Sequence, residues 1–389
     1  MLKKILHVLV GVLGISVCFI GSAQSAEAVL VGMNTPVTGA AAGEAVYFMK
    51  AAKLAEKHAN AAGYNIKLLI QDNQSTNPGA LAALNKSIEQ DHIFALLGPI
   101  KSTQVLAISD RVKQTELPTL IGGTNVNLTQ QGNPWLFRCR PDDSIVVKVM
   151  LKYIKEDMGL TKIAVLHDAD AFGTGGADLI DDLAPKAGLT VVKREKYTTK
   201  DKDYTAQLLA FRVAGAEVMI HYGTNAEDVA VCQRQYRQLG LPYAYLGSPS
   251  SAVKDTIHLA GKAAEGILAI ADATPGGSPE YTAYSEAYKK EYGEEMDAWA
   301  AWNYDALMIL AKAIHEVGPD RSKVREAILN LRDYRGVLGT YSFSPNGDGR
   351  HSACVVEVKK GQPVLKKVVT VEISIIFSRN LIWTMCVSR

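Results

Sequence analysis

From Val29 onward, short apolar runs alternate with stretches in which apolar residues recur at helical spacing. AVLVGM (28–33), KLLIQD (67–72), IFALLG (93–98) and PTLIG (118–122) predict strands, and 45–61, 79–90 and 104–114 predict helices. Strands apolar on both faces that alternate with amphipathic helices predict a parallel sheet covered on each side. A polar patch at Arg138–Asp143 interrupts the rhythm, which then starts again. KIAVLHD (162–168), LTVVKREKY (189–197), EVMIHYG (217–223), YAYLGS (243–248) and GILAIAD (266–272) are the strands of the second round, with helices expected at 176–186, 203–214 and 227–239.

Beyond a loop at TPGGSPE (274–280) the rhythm is lost. Helices are expected at 281–292, 299–317 and 322–330, then a hairpin turning at Pro345-Asn346-Gly347 and a β-meander through HSACVVEVKKGQPV. The expected fold class is α/β, with two doubly wound parallel-sheet lobes in series. A chain of 389 residues agrees with two lobes, because a single core stops growing well below that length.

The two ends differ from the rest. Residues 1–28 carry an early charge pair (Lys3, Lys4), an apolar stretch and small residues up to Ala28, the three-part pattern of a cleaved secretory signal. Export to the periplasm is therefore expected. Residues 368–389 are apolar and β-prone and are read as an atypical tail. Four cysteines follow the signal, Cys139, Cys232, Cys354 and Cys386, with no C-x-x-C among them; buried thiols are expected, and spacing assigns no disulfide.

Composition narrows the function by exclusion. Charged residues are 21% and the net charge is +2, with no basic run, so no nucleic-acid partner is expected. HDADAFGTGG (167–176) lacks the ligands of a calcium loop and the spacing of a dinucleotide fingerprint. LGSPSS (246–251) is not a nucleophile elbow. His221, on an apolar strand, reads as a satisfied core histidine. No enzyme, metal or cofactor is expected.

What remains is a set of polar turns at strand ends. In open α/β sheets ligands bind beyond the carboxyl ends of the strands. Three such ends are rich in hydroxyls and glycine: Gly98–Gln104, Gly122–Asn125 and Gly247-Ser248. Hydroxyls beside a helix start suit an anion such as a carboxylate, although Ser102 or Thr103 could equally cap that helix.

On these residues the chain resembles a known family. VGMNTPVTG (31–39), QDNQSTNPGALAALNKSI (71–88), ALLGPIKSTQVLAIS (95–109), LPTLIGGTNVNLT (117–129), KIAVLHDADAFGTGG (162–176) and NYDALMILAKAI (303–314) are similar to the type I periplasmic binding proteins, in particular the branched-chain amino acid (Leu/Ile/Val) receptors of ABC transporters. The resemblance implies a monomeric receptor that captures a small solute by lobe closure and hands it to a membrane permease. It implies lobe 1 from 29–142 plus 273–336 and lobe 2 from 143–272 plus 337–367. Connecting strands are expected near 140–144, 272–276 and 335–339.

The resemblance also implies site residues. Ser102 stands where a hydroxyl meets the ligand carboxylate, Gly122 where a carbonyl receives the ammonium, and Thr124, beside Gly123, where N–H and hydroxyl serve the head group. Phe172 stands where an aromatic ring closes over the ligand, and Asn225 where that contact is commonly aromatic. After Gly247-Ser248 an acidic residue is expected for the ammonium; Pro249 stands there instead, with Glu44 as a possible substitute. The expected ligand is a branched-chain or other hydrophobic amino acid. The alternatives are an aromatic carboxylate, an amide or urea, or a sensory protein of the same fold.

Overall fold

The computed structural model of the chain describes residues 27–273 and 275–369. Nearly all of the expected export segment and tail, and Cys386, lie outside them.

The first sheet begins with Val29–Thr35 (β1), Ile66–Asp72 (β2), Ala95–Leu97 (β3), Thr119–Ile121 (β4) and Leu136–Pro141 (β5). Its order is β2-β1-β3-β4-β5, all parallel. Lys162–Asp168 (β6), Thr190–Tyr197 (β7), Val218–Tyr222 (β8), Ala244–Gly247 (β9) and Leu268–Ala271 (β10) repeat the same winding, β7-β6-β8-β9-β10. Each sheet thus reverses direction beside its first strand, and that reversal opens a crevice at the strands' carboxyl ends. The two crevices face each other.

The last third of the chain serves both lobes. Tyr334–Gly336 (β11) and Gly339–Tyr341 (β12) form a small ribbon; Asp348–Arg350 (β13) joins β5 at the edge of the first sheet. Ala353–Lys359 (β14) pairs antiparallel with β10, and Gln362–Val369 (β15) pairs antiparallel with β14 at the edge of the second sheet. The lobe boundary expected at 336/337 is therefore displaced: 337–350 lies with the first lobe, where Leu338, Tyr341 and Phe343 enter its core. The third crossing falls between Arg350 and Ala353, not near 335–339. The hairpin pattern is the same in either lobe, so periodicity could not choose between them.

Helix Asp143–Glu156, which enters the second lobe directly after β5, has no counterpart in the expected pattern. Its run Ile145–Ile154 buries a broad apolar face with Lys148 and Lys152 exposed on the other side, and its β-branched residues Ile145, Val146, Val147 and Val149 weaken the helical signal. Local chemistry fixes its start: the Asp142 carboxylate accepts from the Ser144 and Ile145 N–H groups.

Cys139 and Cys232 are buried thiols, and Cys354 donates to the Ala273 carbonyl at 3.1 Å. His221 is enclosed between the Tyr245 and Tyr197 hydroxyls, and burial lowers its pKa to about 3.

Candidate ligand-binding site

Two turns from the first lobe build one wall. After β3 the chain turns at Gly98, whose φ of +93° and distance to the Asn34 carbonyl (2.4 Å from where a Cβ would sit) leave room only for glycine. That turn delivers Lys101 and Ser102 to the head of helix Ser102–Gln114. Ser102 does not cap its own helix; its hydroxyl accepts from the Asn125 N–H at 3.3 Å and so ties this turn to the one after β4. A Cβ on Gly123 would lie 3.3 Å from Ser102 Cα and closer still to Val105 and Leu128, so glycine lets the turns touch.

Thr124 is 2% exposed, and its hydroxyl has no hydrogen-bond partner, although it lies near enough to Asp143 to oppose the rise in that acid's pKa. Its carbonyl is occupied by the Asp143 N–H and by Arg138. The Gly122 carbonyl accepts from Arg140 Nη1 at 2.8 Å, while Arg140 Nε reaches Asp272 on the second crossing at 2.5 Å. The group expected to receive an ammonium therefore already holds a cation.

The second lobe supplies the opposite wall. Phe172, in the first turn of helix Ala171–Lys186, packs its ring 4.8 Å from that of Tyr222, whose hydroxyl donates to Asp143 at 2.8 Å. Asn225 stands at the head of helix Ala226–Gln238, and its amide reaches Asp228 at 3.4 Å, not the cleft. Its neighbour Thr224 faces the cleft, with a buried hydroxyl lacking a partner. Ser248 is turned inward on the Gly223 carbonyl; Ser250, which also reaches that carbonyl, lies on the cleft surface.

Between the walls lies a cavity lined from both lobes. Ser102, Thr124 and Phe172 all line it. Gly122 and Gly123 shape the turn behind it, and Asn225 and Ser248 stand outside it. Lys101, Arg140, Thr224, Ser250 and Trp299 line it, and the sequence reading gave none of them a binding role. Lys101 could have been found, since it directly precedes Ser102. Trp299 was hidden by its placement in a helix that begins only at Trp302.

The electrostatics of this cavity are unusual. Glu44 does not face it as an acid awaiting a cation: its Oε2 takes Lys101 Nζ at 2.9 Å. Asp272 is committed to Arg140. Four hydroxyls and two cations line the cavity, and no carboxylate does. Among the described residues no cluster of three or more His, Cys, Asp or Glu side chains could hold a metal ion.

A family profile described as periplasmic binding protein matches residues 28–363. An amino acid binding protein of Pseudomonas aeruginosa is 28% identical over 336 residues, which is 84% of this chain and 89% of that one. The branched-chain amino acid transporter substrate binding protein LivJ of Streptococcus pneumoniae, solved with isoleucine, superimposes with a TM-score of 0.81 at 22% identity, covering 88% of this chain and 99% of its own. An ABC transporter solute binding protein of R. palustris, solved with benzoate, gives 0.80 at 18% identity, covering 89% and 98%.

Proposed function

This chain belongs to the periplasmic binding protein family, and we propose from that premise that it is the periplasmic receptor of an ABC importer, taking a small organic carboxylate that carries no ammonium. The observation that carries the ligand class is the cavity lining, two cations and four hydroxyls without an acid. A carboxylate suits hydroxyl donors at Ser102 and Thr124 near the head of a helix. An ammonium would be stripped of water opposite Lys101 and Arg140, with Glu44 and Asp272 already paired, and an unpaired buried charge is costly. The names of the relatives favour an amino acid; the charges in the cavity favour the deaminated relative of one, or an aromatic acid such as the benzoate of the R. palustris neighbour.

Capture follows from the architecture. Three chain crossings join the lobes, each lobe has its own core, and the cavity lies between them, so a rigid-body closure buries the solute without repacking either core. The closed form then docks on a membrane permease, and the receptor itself turns nothing over.

Thermal-shift titration with leucine, 4-methylpentanoate and benzoate tests the ligand class. Stabilisation by either plain carboxylate but not by leucine is expected; stabilisation by leucine alone would return the amino-acid reading.

A further inference from the structure

The cleft does not end at the head cavity. Trp299 and Pro249 line both that cavity and a second chamber, whose walls include Ile257, Tyr281 and Met296. We propose that this chamber is a ligand subsite, receiving the far end of a carboxylate held at Ser102 and Thr124 and selecting a hydroxyl there. The inference rests on the carboxylate reading above.

Two buried polar atoms point to the hydroxyl. Asp272 is 3% exposed; its Oδ2 takes Arg140 Nε, whereas its Oδ1 has no donor. The Trp299 indole N–H has no acceptor. Both residues line the chamber. A buried acceptor without a donor is rare and costs stability, and a hydroxyl is the simplest group that both donates and accepts.

The charged side chains of the wall already have partners. Asp272 is matched by Arg140. Asp297 is saturated by the backbone N–H groups of Lys254, Trp299 and Ala300, and Lys254 is held by Glu294. The two spaces adjoin: Trp299 and Pro249 line both, and Arg140 on the head cavity bonds Asp272 on the chamber wall.

Calorimetric titration of the full chain with two matched pairs, benzoate with 4-hydroxybenzoate and hexanoate with 6-hydroxyhexanoate, tests the subsite. The hydroxylated member of at least one pair is expected to bind about tenfold more tightly. Met296→Trp, which narrows the chamber, should remove that gain, so that the two members of each pair bind alike; Ile257→Trp narrows it from another wall residue if the first variant folds poorly. Equal affinities within both pairs, or a gain that survives the block, overturn the subsite while the carboxylate reading stands. Failure of all four acids to bind overturns that reading and the subsite with it.

Discussion

Lys101 and Glu44 form a buried ion pair within the first lobe, and each also bonds the second. Lys101 Nζ donates to the Thr224 carbonyl at 2.9 Å, and Glu44 Oε1 accepts from the Ala226 N–H at 3.1 Å, at the start of helix Ala226–Gln238. A carboxylate at a helix amino terminus is favoured by the helix dipole. The pair therefore works as a latch across the cleft.

Glu44→Gln keeps an acceptor for Ala226 but leaves Lys101 without its counter-charge. Affinity for the bound acid should fall roughly 10- to 100-fold, since breaking one side of a buried pair is expensive, and small-angle scattering should show a more open average shape. Unchanged affinity and shape would remove the latch from the account.

Thr124→Val deletes a buried hydroxyl that has no protein partner. The unliganded protein should melt at the same temperature or slightly higher, because an unsatisfied group is lost, while affinity drops about tenfold or more. A variant that loses stability and keeps affinity would show that Thr124 serves the fold instead.

Burial raises the Asp143 pKa to about 7, against the opposing effect of the Tyr222 hydrogen bond. A carboxyl whose folded pKa exceeds its unfolded value contributes stability at low pH that is lost as pH rises toward 7. Asp143→Asn keeps the acceptor for Tyr222 and cannot ionise. Its melting temperature relative to the parent should therefore climb between pH 5 and pH 8. A constant difference across that range would contradict the shift.

Gly98→Ala forces a side chain into positive φ against the Asn34 carbonyl. A loss of about 1–3 kcal/mol is expected, together with weaker binding because the turn carrying Ser102 must move. Chemical denaturation measures the first and calorimetry the second.

The sequence by itself determined the repeated α/β winding, because strands buried on both faces have to be apolar throughout and helices on a sheet have to be striped. It also pointed to Ser102 and Thr124, polar residues at the carboxyl ends of such strands, whereas Phe172 came only from the resemblance to a known family. Only the tertiary structure decided which lobe receives 337–350, since a hairpin does not encode its partner sheet. The inward turn of Ser248 and the exchange of Asn225 for Thr224 also depend on the fold, because the direction of a side chain in a turn is set by the backbone around it. So does the charge of the cavity. Glu44 and Lys101 are 57 positions apart, and Arg140 and Asp272 are 132 apart; whether such charges face a ligand or each other is settled by packing.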